Sequence, residues 1–116
     1  MTEQDCIFCR VVAGEIAADI IYRDERAVAF RDINPQAPVH ALVIPREHIE
    51  SLDEAAGRDE TTLGHLLRVA ARVAKQENLS ETGYRTVINT GAGAGQSVFH
   101  LHLHVIGGRP LRWPPG

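Results

Sequence analysis

Only two cysteines occur in the chain, Cys6 and Cys9, and they stand three positions apart. So short a loop cannot staple a fold, which excludes a disulfide framework and leaves a metal-binding or redox pair as the natural use. No apolar segment approaches the ~20 residues a membrane helix needs. The start, Met1 to Asp5, is polar and acidic and lacks the basic residues and apolar stretch of a signal peptide, so a cytoplasmic location is expected. Runs of like charge are absent too, and the formal net charge is −3. A nonspecific nucleic-acid binder would carry a basic face, so that class is excluded. A single nucleotide is not excluded, because a pocket can offer backbone N–H groups beneath an acidic surface. There is no repeat, low-complexity tract or linker, and residues 1–116 read as one domain. With 44% hydrophobic and 23% charged residues the mixture is that of a globular chain able to bury roughly two thirds of its unfolded surface.

The pattern along the chain predicts a short helix over Cys6 to Ala13, with Ile7, Phe8, Val11 and Val12 at helical spacing and Gly14 as its stop. Ile20 to Arg23 and Ala27 to Arg31 read as strands joined by a turn at Asp24-Glu25. Asn34 to Pro38 is a loop, since two close prolines exclude regular pairing. His40 to Ile44 is a strand ended by Pro45. A long helix is expected from about Thr61 to Asn78, with Leu63, Leu66, Leu67, Ala70, Val73 and Ala74 as its apolar stripe and Asp59 as a cap. Tyr84 to Asn89 and Phe99 to Ile106 are further strands, separated by the glycine-rich loop Gly91 to Ser97. The tail from Arg109 to Gly116 is irregular. The fold class is α+β with a mainly antiparallel sheet of four or five strands and two helices.

Three of the six histidines alternate in His100-Leu101-His102-Leu103-His104. Alternate residues of a strand share a face, so the imidazoles line one side while Leu101, Leu103 and Val105 enter the core. A metal-chelating run or a solvated edge strand is the plain alternative. The alternating leucines and the adjacent glycine loop count against it.

The stretch from Gly95-Gln96-Ser97 through the three histidines to Gly107-Gly108-Arg109 resembles the signature of the histidine triad (HIT) superfamily, specifically its Hint branch. So do Phe30 to His40, Val43 to Ile49 and the ending Trp113-Pro114-Pro115-Gly116, and the likeness runs from Cys6 to Gly116. The resemblance implies a HIT-like fold with a five-stranded sheet, one long helix and one short N-terminal helix. It also implies a purine nucleoside phosphoramidase-like hydrolase that acts on AMP or GMP derivatives, and a homodimer.

An unperturbed imidazole is substantially free base at pH 7, and once bonded to phosphorus its ring becomes a leaving group that water can displace. By resemblance His102 is that nucleophile. His40, His100 and His104 surround it, His104 and His40 as hydrogen-bond donors to phosphate oxygens, and Ser97 helps to protonate the leaving nitrogen. Backbone N–H groups around Gly95, Gln96 and Ser97 meet the phosphate, since glycine tolerates the backbone angles this needs. Asn89 resembles a phosphate or ribose contact, and Asp32 the carboxylate that accepts both ribose hydroxyls. Ile7, Phe8, Phe30, Ile33 and Leu42 are expected to form the slot for the base, with plain core the competing reading of the same residues. His65, on the long helix, is expected to take no catalytic part.

Cys6-x-x-Cys9 alone could be a redox pair or half a zinc site, and a closed tetrahedral site needs two more nitrogen or sulfur ligands. By resemblance to zinc-bearing relatives these are His48 and His100, which makes the zinc structural. Against this phosphoramidase reading stand three others: a dinucleoside polyphosphate hydrolase, a nucleotide-binding interaction module, and a zinc hydrolase with His100, His102 and His104 as ligands. The last is awkward, because the outer histidines stand ~13 Å apart along a strand at ~3.3 Å per residue.

Overall fold

The computed structural model describes residues 5–58 and 60–116; Met1 to Gln4, part of the polar start, and the expected cap Asp59 lie outside the described residues. Five strands form one sheet: β1 (Ile20–Arg23), β2 (Ala27–Arg31), β3 (Val39–Pro45), β4 (Tyr84–Val87) and β5 (Leu103–Gly107). Their order is β1-β2-β3-β5-β4 and every neighbouring pair is antiparallel. Three α-helices accompany them among the described residues: α1 (Ile7–Val12), α2 (Leu52–Ala56) and α3 (Glu60–Gln76). The expected α+β class and its antiparallel sheet are what the chain adopts. None of these helices is long and apolar enough to cross a membrane.

The inner strands β2 and β3 are apolar nearly throughout because both faces of the sheet are covered. On one face α3 lays Leu66, Val69, Ala70, Val73 and Ala74 against Ala27, Ala29, Ala41, Val43, Leu103 and Val105. Small alanines on the strands leave room for the helix. The opposite face carries Val28, Phe30, Leu42 and Ile44, and α1 covers it with Cys6, Phe8 and Val11. Period-two alternation thus sends one set of side chains to each layer. The site lies on the α1 side.

Four departures from the sequence expectation have physical causes. Helix α2 spans five residues, too few for a helical period to register. Leu67 is 53% exposed while Val69 is buried, so the apolar stripe of α3 sits one column away from where Leu67 belongs. Strand β5 begins at Leu103 rather than Phe99. Val43 pairs with Leu103, so continuing the ladder would bring Leu101 opposite Pro45, which has no N–H to give. Strand β4 ends at Val87 rather than Asn89 for a related reason: Val87 pairs with His104, and only one residue of β5 lies beyond it.

Candidate functional site

The cysteines meet two histidines at the start of α1. Cys6 is the N-cap, and its Sγ accepts a hydrogen bond from the Cys9 N–H at 3.4 Å, which brings the second thiol around onto the same side. His100 Nδ1 lies 3.4 Å from Cys6 Sγ and 3.5 Å from Cys9 Sγ, and His48 Nδ1 lies 3.2 Å from Cys9 Sγ. All four ligand atoms fall within 4.8 Å of one another. Around a tetrahedral zinc, bonds of about 2.3 Å to sulfur and 2.05 Å to nitrogen set the S···N edge near ~3.6 Å. The residues therefore fit such an ion with little movement. His100 Nε2 donates to the Pro45 carbonyl at 2.8 Å, which leaves Nδ1 unprotonated and turned toward the sulfurs. Burial, reinforced by the neighbouring His48 and His102 rings against the opposing Pro45 bond, pushes His100 down to about 4. His48 Nε2 is buried without a hydrogen-bond partner.

Beside this cluster opens a cavity of about 350 Å³ lined by α1, the strand ends and the loop before β5. Phe8, Phe30 and Leu42 form its apolar wall, and Asp32, Ser97, His102 and His104 stand at its polar end. The wall follows from strand pairing: Leu42 lies opposite both Phe30 and His104. Leu42 belongs to the core cluster and the cavity wall at once, which joins two readings the sequence could not separate. Phe8 stands edge-on to His102, with ring centroids 5.1 Å apart. Ile7 and Ile33 also border the cavity, and Ile33 is 98% exposed at its rim.

Backbone contacts assign the imidazole protons. His102 Nδ1 donates to the His100 carbonyl at 2.7 Å, so its lone pair is on Nε2. Burial lowers the His102 ring below the ordinary imidazole range, while the His100 bond and Asp32 pull the other way. The ring is a neutral base. At His40 the Gln36 N–H donates to Nδ1 at 3.0 Å, which puts the His40 proton on Nε2. That proton faces His104 Nδ1 at 2.9 Å, nearer than Asp32 Oδ2 at 3.4 Å. His104 must then carry its own proton on Nε2, a buried atom with no partner. The result is one acceptor nitrogen, on His102, next to one unspent donor, on His104, with ring centroids 5.1 Å apart.

Other expected residues are placed less uniformly. Asp32 borders the cavity, but its Oδ1 already accepts the Asn34 N–H at 2.8 Å. Ser97 is exposed and lines the cavity. Gln96 is 3% exposed and committed internally, its Oε1 to Gly91 N–H and its Nε2 to the carbonyls of Glu50 and Val98. It shapes the glycine loop, which holds one 3₁₀ turn at Ala92–Ala94. Gly95 takes φ +93°, and a Cβ there would sit 3.9 Å from the Asn89 amide, so these two residues adjoin each other outside the cavity lining. His65 is remote from the cavity and bonds Asp24 Oδ2 at 2.7 Å. His100, His102 and His104 do not converge on a point. Ligand-capable atoms among the described residues gather in two groups, and neither contains all three. Sequence reasoning missed Gln36 because its contribution is a backbone N–H, which leaves no side-chain signal. It also missed Val11, Ile16 and Ala18, which complete the apolar wall; Val11 reads only as part of the first helix's apolar spacing, and the other two lie between predicted elements.

The HIT domain family model matches residues 13–111. An uncharacterized HIT-like protein of Synechococcus elongatus is 55% identical over 97% of this chain and 98% of its own length. Among solved structures, a HIT family hydrolase from Legionella pneumophila is 46% identical with a TM-score of 0.93, over 97% of this chain and 100% of that one. A histidine triad nucleotide-binding protein from Candida albicans is 32% identical with a TM-score of 0.80, over 87% of this chain and 73% of that one.

Proposed function

This chain belongs to the HIT domain family, and from that premise we propose that it hydrolyses the P–N bond of purine nucleoside 5′-phosphoramidates through a nucleotidyl-histidine intermediate. The carrying observation is the bond from His102 Nδ1 to the His100 carbonyl, which leaves Nε2 as the free acceptor of a neutral ring bordering the cavity. Nε2 attacks the α-phosphorus and the P–N bond breaks. The amine departs with the proton of the Ser97 hydroxyl. Water then attacks the same phosphorus, its oxygen bonding there while its released proton returns to Ser97, the Nε2–P bond breaks, and the mononucleotide leaves. His104 Nε2–H donates to a phosphate oxygen throughout, and Asp32 takes the ribose hydroxyls. The apolar wall of Phe8, Phe30 and Leu42 accepts the purine, AMP or GMP, by shape.

Cys6, Cys9, His48 and His100 would hold a structural zinc that ties α1 to the nucleophile's segment; its chemistry would be bracing, since all four positions are filled by protein. A reduced thiol pair of this kind suits a cytoplasmic setting. We also assign a homodimer. β4 is an edge strand with Tyr84 38% exposed, and exposed Leu67 projects from α3.

Rates on an adenosine phosphoramidate and a diadenosine polyphosphate, measured side by side with base-quenched intact-mass analysis, decide the matter. A faster phosphoramidate reaction and a protein-bound nucleotide are expected. A faster diadenosine reaction overturns the substrate, and nucleotide binding without an adduct leaves only an interaction module.

A further inference from the structure

We propose that Arg109 is a positioning residue: by gripping the Gln36 carbonyl it sets the proton arrangement of His40 and, through it, of His104. The inference rests on the hydrolase reading for its kinetic consequence, though not for its structural content. Arg109 follows the end of β5, where Gly107 pairs with Val39, and reaches the loop that enters the neighbouring strand β3. Its Nε and Nη2 both donate to the Gln36 carbonyl, at 3.2 and 3.0 Å, and its Nη1 reaches the Pro110 carbonyl at 3.1 Å. No carboxylate pairs with Arg109 among the described residues, so its donors are spent on backbone.

Gln36 lies in the exposed loop between Asp32 and β3, a segment without ladder bonds of its own. That loop must hold its N–H on His40 Nδ1 at 3.0 Å. A neutral imidazole keeps its proton on whichever nitrogen is not accepting a bond. Holding Nδ1 as the acceptor puts the His40 proton on Nε2, which turns His104 Nδ1 into an acceptor and presents the His104 Nε2–H. If the loop drifts, Nδ1 is free to take the proton, His40 Nε2 becomes an acceptor, and His104 turns its own hydrogen back toward His40. The donor meant for the phosphate is then lost. The seat is built closely. Gly108 adopts φ +92°, and a Cβ there would lie 2.9 Å from the Pro38 Cβ, so the chain after β5 rests directly on this loop. A two-point grip on one carbonyl fixes direction as well as distance, which a single donor does not.

The experiment reads histidine tautomers by two-bond ¹H–¹⁵N correlation in the zinc-loaded protein at pH 8, alongside kinetics on an adenosine phosphoramidate. In the wild type both His40 and His104 are expected as Nε2–H forms. In Arg109→Ala, His40 is expected as a mixture and His104 to follow it. kcat should drop about 10- to 100-fold with KM changed less than about threefold, as for a lost transition-state donor. Arg109→Lys, with a single donor nitrogen in place of the planar fork, should recover part of kcat and part of the tautomer signature. A general structural role would move neither tautomer selectively. Unchanged His40 and His104 tautomers in Arg109→Ala, or Nδ1–H forms in the wild type, overturn the proposal. If the tautomers respond as stated while the wild type does not hydrolyse phosphoramidates, the positioning role stands and the hydrolase reading falls.

Discussion

The Nδ1 hydrogen of His102 is held by the carbonyl of His100, two residues earlier, across 2.7 Å. In a regular ladder that carbonyl would face a neighbouring strand. Here it is released because β5 begins only at Leu103. The same short irregular stretch lets the His100 ring turn to the cysteines while its backbone serves His102. One residue therefore links the metal-fitting cluster to His102.

Replacing His102, the proposed nucleophile, should separate binding from chemistry. His102→Asn and His102→Ala are expected to lower turnover by more than about 10³-fold. AMP affinity, measured by titration calorimetry, should stay within about threefold, because the apolar wall and Asp32 are untouched. Retained turnover in either variant would remove His102 from the mechanism.

The thiol cluster should carry zinc, and the metal should act on stability first. Elemental analysis of protein purified without chelator is expected to show one zinc per chain, and Cys9→Ala to abolish it. Losing a brace worth about 2 kcal/mol would lower Tm by roughly 5–10 °C at this chain length. Activity should fall with the folded fraction rather than ahead of it. Loss of activity on metal removal with Tm unchanged would contradict a structural site.

Acid sensitivity follows from His104. Burial, then the His102 and His40 rings, hold it down to about 4 against the pull of Asp32. An unfolded imidazole takes its proton near ~6.5, so between there and about 4 only the unfolded chain gains one. Stability conferred by the neutral ring is complete above ~6.5 and drains away as pH falls toward about 4. Urea midpoints at pH 7.5, 5.5 and 4.5 should drop more steeply for the wild type than for His104→Gln. Parallel curves would contradict it.

The tail should matter for selectivity more than for folding. Beyond Leu111, Trp113 is 81% exposed, and Arg85 Nη2 donates to the Arg112 carbonyl at 2.8 Å. Deleting the residues after Leu111 is expected to change Tm by no more than ~3 °C, as surface changes usually do. Relative rates across a series of amine leaving groups should shift several-fold. Equal rates across the series before and after truncation would assign the tail no part in selectivity.

Much of the fold was legible because the signals were local. Short apolar runs in Ala27 to Arg31 and His40 to Ile44, set off by a polar turn and by Pro45, marked strands that the sheet realises almost residue for residue. Helix α2 and the late start of β5 were not legible. The first is shorter than the period that would reveal it, and the second depends on which residue Pro45 faces across the sheet. Gln36 was invisible as well, since any residue type could supply its N–H.

Residue order alone determined which side chains of β5 share a face, because a strand's alternation is a property of the backbone: His104 and Ile106 on one side, Leu103 and Val105 on the other. It could not determine which nitrogen of each ring bears the hydrogen. That was decided by the Pro45 carbonyl, 55 positions from His100, by the His100 carbonyl beneath His102, and by the Gln36 N–H on His40, whose ring meets His104 across 64 positions. A proton's position on an imidazole is set by what lies within three ångströms of it, and only the folded chain brings those groups there.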